Sequence, residues 1–241
     1  MQKLPASGPA REALREKGQF WTPAWLAEAM ASWVTANQPS VLFDPAVGPG
    51  TFFAAAREVG FAGEFAGFEL HEPALAESYR PGLSPTELQG VNIGDFISSR
   101  VSAAYPAIIS NPPYIRHHRL GEERKRELRS LARHCLGFEL DGRVGLHLYF
   151  LLKCLDHLAP GGRLAFLLPA DVCEGVSQTR SGTNWPRACA LMPFLRLRKA
   201  RHRFQRWIQT RWCFSSQTAP RIRKSGGSVC ESRIPETSLK R

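Results

Sequence analysis

A doubly wound, mostly parallel α/β sheet is the fold that this 241-residue sequence predicts. Two observations carry the prediction. Short apolar runs of strand length alternate with stretches of helical length, the order that builds βαβ units. Three of those runs also end at an acidic residue, as in turns at the ligand-binding edge of such sheets.

Each element follows from local chemistry. Residues 1–17 are rich in Pro, Ala and Gly and are predicted to be a flexible N-terminus. Thr22-Pro23 reads as a helix start, with Thr as N-cap and Pro at the first helical position. Leu26, Met30, Trp33 and Val34 then form one apolar stripe. Val41-Leu42-Phe43 is a first strand ending at Asp44, and residues 52–59 are the helix after its turn. Residues 65–69 form a second strand, and a third ends near Asp95. Residues 107–110 form a fourth, stopped by Asn111-Pro112-Pro113. A charged helix is predicted over Glu122–Leu136, with Leu128, Leu131, Ala132, Cys135 and Leu136 on one stripe. Residues 145–158 are apolar nearly all round, which predicts a buried helix. Pro160-Gly161-Gly162 is read as a turn into a strand over 164–168.

The net charge of +11 is unevenly distributed. Residues 176–241 hold 15 Lys and Arg against 2 Asp and Glu, while residues 1–175 hold 17 against 19. Three readings of the basic tail stand side by side: a nucleic-acid arm, plain disorder, and translation out of frame. The genetic code bears on the third. Codons shifted by one base force Asp from Trp207-Ile208, Val from Trp212-Cys213 and Ala from Met192-Pro193. A strand-like V-D-T-N-A-L-V-F-F-I then becomes compatible with the stretch between Phe204 and Ser216. On this reading 176–241 is an out-of-frame, disordered tail. The domain over 18–175 is then incomplete, its later strands missing and its activity impaired.

The six cysteines, at 135, 154, 173, 189, 213 and 230, form no CxxC or Cys/His cluster, which predicts free thiols and no metal. No apolar run nears ~20 residues and no basic-then-apolar leader is present. A cytoplasmic protein with no membrane partner is the expectation.

The chemistry sits at the strand ends. Asp44-Pro45-Ala46-Val47-Gly48-Pro49-Gly50-Thr51-Phe52 closes a strand and opens a helix, and its glycines let the backbone approach a ligand. It is neither GxGxxG nor a Walker loop with its lysine, so a triphosphate is not expected. An ordinary βα turn is the competing account. Glu69 closes the second strand, where a carboxylate can accept both hydroxyl hydrogens of a ribose. Asp95 can accept from an adenine amino group, with Phe96 packing on the ring. Together the three acids describe a pocket for an adenosine-bearing ligand. Asn111-Pro112-Pro113-Tyr114 follows the fourth strand. The Asn111 amide oxygen and the Pro112 carbonyl can accept from an exocyclic amino group, freeing its lone pair, while the prolines stiffen their placement. Tyr114 can stack on a base swung out of a duplex. Arg124, Lys125, Arg126, Arg129 and Arg133 either contact phosphates or form a solvated face, and His117, His118 and Arg119 directly follow the catalytic loop.

The series D-P-A-x-G-x-G-x-F, G-F-E, G-D-F and N-P-P-Y resembles the amino-methyltransferases. With Gly18-Gln19-Phe20-Trp21-Thr22-Pro23 upstream, and His147-Leu148-Tyr149-Phe150, Leu158-Ala159-Pro160-Gly161-Gly162-Arg163-Leu164 and Pro169 downstream, residues 18–175 resemble the gamma-type, Eco57I-like N6-adenine DNA methyltransferases. The resemblance implies a class I fold and S-adenosylmethionine as cofactor. It implies methyl transfer to N6 of a flipped adenine in double-stranded DNA, and a restriction endonuclease as partner. It implies cofactor contacts from Phe20, Thr22, Pro23, Asp44, Pro45, Ala46, Gly48, Gly50, Phe52, Glu69, Asp95 and Phe96, and catalysis at Asn111, Pro112, Pro113 and Tyr114. Val47 departs from the pattern, where Cys is common, and so does Pro49, where a small residue is usual. Two alternatives remain: a glutamine N5-methyltransferase, which also uses N-P-P-Y on a planar amide, and a non-catalytic nucleic-acid binder.

Overall fold

The computed structural model describes residues 22–76, 83–141 and 144–169, and the backbone of 194–196 and 210–215. Its centre is β1 (Val41–Asp44), which lies parallel to β2 (Glu64–Glu69) on one side and β4 (Tyr105–Ser110) on the other. Beyond β2 comes β3 (Val91–Ile93), and beyond β4 comes β5 (Leu158–Pro169), both parallel to their neighbours. The sheet order is β3-β2-β1-β4-β5, continued by β7 (Thr210–Ser215) and then β6 (Phe194–Arg196).

Strand periodicity divides the side chains between two cores. Leu42, Ile109, Ala165 and Leu167 face α1 (Ala24–Val34) and α2 (Thr51–Glu58), packing with Leu26, Met30 and Phe53. Phe43, Ile108, Leu164, Phe166 and Leu168 face α4 (Glu122–Leu136) and α5 (Leu146–Asp156). A short α3 (Glu72–Ala76) follows β2. A single 3-10 turn at Pro85–Leu88 precedes β3, closed by a reciprocal Ser84–Glu87 capping box. The apolar stretch of α5 is buried along nearly its whole length, as the absence of a polar face predicts.

Three expectations are corrected. Helix α1 begins at Ala24 with Pro23 as its N-cap and no side-chain cap, because the Thr22 hydroxyl is committed elsewhere. Pro160-Gly161-Gly162 is an irregularity inside β5 rather than a turn before it. The pairing jumps from Tyr105↔Leu158 to Ala107↔Arg163, and Gly161 takes the left-handed φ of +74° that the excursion needs. The third correction concerns the tail. β6 (Phe194–Arg196) and β7 (Thr210–Ser215) join the sheet in the printed reading frame, β7 antiparallel to β5 over Leu164–Pro169. The open edge of β5 would otherwise leave its ladder groups unpaired, and T-R-W-C-F-S has the Thr and aromatic content of a strand. The sheet therefore has later strands, against the expectation that they are missing. The remainder of 176–241, like 1–21, lies outside the described residues.

Strand β2 reaches β1 through a glycine. A Cβ on Gly67 would lie 2.3 Å from the Asp44 carbonyl oxygen and 2.7 Å from a Val47 methyl. Gly67→Ala should cost about 1–3 kcal/mol by forcing those backbones apart. Urea unfolding at neutral pH measures it, and an unchanged midpoint would mean that the two strand ends separate freely.

Candidate active site

The chain runs outward from β1 to β2 and β3, then returns to place β4 on the opposite side of β1. Strand order thus reverses between β1 and β4. In open parallel sheets that reversal leaves a crevice beyond the carboxyl ends of the strands. Asp44 ends β1, Glu69 ends β2, Asp95 lies just past β3, and Asn111 lies just past β4.

The turn after β1 is held by its own backbone. The Val47 amide donates to the Phe68 carbonyl at 3.0 Å, and the Gly50 amide to the Val47 carbonyl at 3.1 Å. Gly48 and Gly50 take φ of +56° and +71°, which side-chain-bearing residues rarely adopt. The Gly48 amide donates to Glu69 Oε2 at 2.7 Å, and the His71 amide to Oε1 at 2.8 Å. The Glu69 carboxylate is thereby fixed between two amides, with about four acceptor positions in all. A Cβ on Gly48 would meet nothing within 4 Å, so this face of the turn is open. Val47 is buried against Gly67, which absorbs its departure from the family pattern. Pro45 is buried, and Ala46 and Pro49 are half-buried along the same turn.

Asp44 is 1% exposed, and its Oδ1 accepts from the Ala46 amide at 2.9 Å. Burial pushes its carboxyl from 3.8 to about 7; the Ala46 amide and the Ser110 hydroxyl oppose the rise, and the Glu69 carboxylate adds to it. The Ser110 hydroxyl is itself buried.

Asp95 is engaged on both oxygens. Oδ1 accepts from the Ile97 amide at 3.0 Å and from Arg124 Nη2 at 2.9 Å; Oδ2 accepts from the Ser98 hydroxyl at 2.9 Å and pairs with Arg124 Nη1. Burial disfavours the anion, but the Arg124 guanidinium and the Ser98 hydroxyl outweigh it and hold the carboxyl below its ordinary value. Beneath this segment, Lys153 of α5 donates to the carbonyls of Phe96, Ile97 and Ser99. Burial pulls its ammonium below the ordinary lysine value, against the Asp95 and Glu127 carboxylates.

At the β4 end, Asn111 Nδ2 donates to Thr22 Oγ1 at 3.1 Å, and the Tyr114 hydroxyl donates to Asn111 Oδ1 at 2.7 Å. The Tyr114 ring is half-buried and meets His147 edge-on at 5.6 Å; burial of its hydroxyl raises it above its ordinary value. Pro112 is buried and Pro113 half-buried.

The structure therefore gathers Asp44, Glu69, Asp95, Asn111 and Tyr114 along one edge, with Thr22 beside Asn111. Two aromatic residues expected at the cofactor are buried in the cores. Phe96 is 1% exposed, packed against Phe43, Phe68 and Phe150 at 5.4–5.8 Å between centroids. Phe52 is likewise buried in the other core. Both rings anchor turns from below. Phe20 lies outside the described residues. Of the five basic residues on α4, three are spent in ion pairs: Arg124 with Asp95 and Glu127, Lys125 with Glu122, and Arg133 with Glu139. Sequence reading missed Lys153 and the Arg124–Asp95 pair; the only signal was a lone cation in an apolar helix. Among the described residues no group of three His, Cys, Asp or Glu could hold a metal, and no helix is long and apolar enough to cross a membrane.

This fold is that of class I S-adenosylmethionine-dependent methyltransferases. A Listeria monocytogenes structure described as such a methyltransferase superposes with a TM-score of 0.58 at 12% identity, over 87% of this chain and 64% of that one. By sequence, residues 7–64 match the family model of the N-6 DNA methylases. It is 32% identical to the type II methyltransferase M.XamI of Xanthomonas campestris pv. amaranthicola, over 64% of this chain and 30% of that protein. It is 29% identical to the type II methyltransferase M.AccI of Acinetobacter calcoaceticus, over 66% of this chain and 29% of that protein. The chain spans about a third of the length of these relatives.

The buried Asp44 has a measurable consequence. Between pH 3.8 and about 7 the folded chain holds a proton that the unfolded chain has released. The contribution of this group to stability therefore falls as pH rises through that window and is flat above it. Asp44→Asn should stabilise the chain by about 1–3 kcal/mol at pH 8, with the gain vanishing toward pH 4. Urea unfolding at both pH values checks it, and a variant less stable at pH 8 would contradict the assignment.

Proposed function

We propose that residues 18–175 form the catalytic domain of an S-adenosylmethionine-dependent DNA methyltransferase that modifies N6 of adenine in a restriction–modification system. The observation that carries this reading is the placement of Glu69, Asp95 and Asn111-Pro112-Pro113-Tyr114 on one crevice, around a glycine turn with an open face. The match of residues 7–64 to the N-6 DNA methylase family model supports the same substrate.

The residues fit an adenosine-bearing cofactor at two positions directly. Glu69 is held at the strand end with acceptor capacity beyond its two amides, suited to ribose hydroxyls. The open backbone of Gly48 admits close approach, and Asp44, Pro45, Ala46 and Gly50 build the turn around it. Asp95 suits an adenine amino group, which reaches it by displacing one of the Arg124 hydrogen bonds. When bound, S-adenosylmethionine supplies a methyl group on a sulfonium, a strong electrophile.

The chain's own task is alignment and placement of charge. Thr22 accepts from the Asn111 amide nitrogen and so sets which way the amide oxygen faces. That oxygen, with the Pro112 carbonyl, accepts the amino hydrogens of a flipped adenine and turns the lone pair toward the methyl donor. Tyr114 exchanges its bond to Asn111 for contact with the base. Double-stranded DNA is the substrate, and a restriction endonuclease the functional partner.

Asn111→Ala should lower N6-methyladenine formation in DNA by at least about 100-fold. Affinity for S-adenosylhomocysteine should stay within about twofold, because the lost acceptor serves only the amino group. Nucleoside mass spectrometry and calorimetry read the two quantities. Methylation appearing on glutamine of a protein substrate instead of DNA would replace this reading.

A further inference from the structure

Lys153 is a buried cation, 6% exposed, on a helix that is apolar along most of its length. Its three N–H donors are all spent, on the carbonyls of Phe96 at 2.6 Å, Ile97 at 2.8 Å and Ser99 at 2.6 Å. Its ammonium also lies 4.9 Å from the Phe96 ring. All three carbonyls belong to the single segment that begins with Asp95 and follows β3. Burying an ammonium is costly, and a methionine of similar length would fill the same space. The charge therefore serves the shape of that segment, since three carbonyls converging on one point repel each other without a cation between them. The same segment folds back on its own acid: the Ile97 amide donates to Asp95 Oδ1 at 3.0 Å, and the Ser99 amide and hydroxyl donate to the Asp95 carbonyl at 2.9 and 2.7 Å. Lys153 grips the loop from the core side, and Arg124 grips the Asp95 carboxylate from α4.

We infer that Lys153 is a positioning residue for nucleobase recognition: by holding the carbonyls of Phe96, Ile97 and Ser99 it fixes the loop in which Asp95 selects an amino group at the adenine 6-position. This rests on the reading of the crevice as an adenosine site. Without the ammonium, three buried carbonyls lose their partner, the loop relaxes toward water, and Asp95 loses its fixed place.

The test uses the full chain and two ligands, S-adenosylhomocysteine and its inosine counterpart, in which oxygen replaces the 6-amino group. The wild type should favour the amino ligand by at least about tenfold. In Lys153→Met that preference should fall to within about twofold, with the loss borne by the amino ligand. Lys153→Gln, which keeps amide donors, should lie between. Equal losses for both ligands, with the preference intact, would mean that Lys153 only stabilises the fold and would overturn the inference. If the methionine variant fails to unfold cooperatively, hydrogen exchange on Lys153→Gln decides. The Ile97 amide should exchange at least about tenfold faster while those of Leu42 and Ile108 are unchanged, and unaltered Ile97 exchange would overturn the inference. A wild type that binds neither ligand, or both equally, would sink the adenosine reading and this inference with it.

Discussion

The hydrogen bond from the Gly48 amide to Glu69 joins two strand ends that lie 21 residues apart in sequence, and the crevice takes its shape from it. It can form only because Gly48 adopts a left-handed φ, because Gly67 lets β2 lie against the end of β1, and because Val47 reaches the Phe68 carbonyl. One contact thus fixes both the open backbone of the turn and the orientation of the carboxylate beside it. The N-terminus of α2 follows directly, since Gly50 is both the last turn residue and the helix N-cap.

Around that contact the chain accumulates buried polarity that a purely stabilising design would avoid. Asp44 is enclosed where its charge is costly, and Lys153 is buried under the loop after β3. Asp95 is tied into a four-donor arrangement by Arg124, Ser98 and the Ile97 amide. Active regions commonly trade stability for placed charge in this way. The two aromatic cores on either side of the sheet, with Phe43 stacked on Tyr105 and Phe53 on Phe65, carry the stability that offsets it.

Much of this was legible in the sequence, for physical reasons that differ by element. Helix Glu122–Leu136 matches its predicted bounds end for end, because Gly137 supplies a left-handed C-cap at φ +81° and the apolar stripe is regular. The acids at 44, 69 and 95 and the motif at 111 share one edge because parallel strands all end on the same side. The side of each turn on which a neighbouring ring falls was not legible. Phe52 and Phe96 adjoin the site residues in sequence yet point into the cores. Thr22 looked like a local cap because its true partner, Asn111, is 89 residues away. Strands β6 and β7 were hidden by a basic composition without periodicity, since their pairing is set by the open edge of β5 and not by their own pattern.

On the proposed function, the crevice beyond β1, β2, β3 and β4 holds an S-adenosyl ligand with its reactive end toward Asn111. A crystal structure of the chain grown with S-adenosylhomocysteine would decide this. The ribose hydroxyls should lie on the Glu69 carboxylate, the base beside Asp95, and the sulfur end facing Asn111 and Thr22. A ligand bound with its ribose away from Glu69, or at another surface while the crevice stays empty, would contradict it.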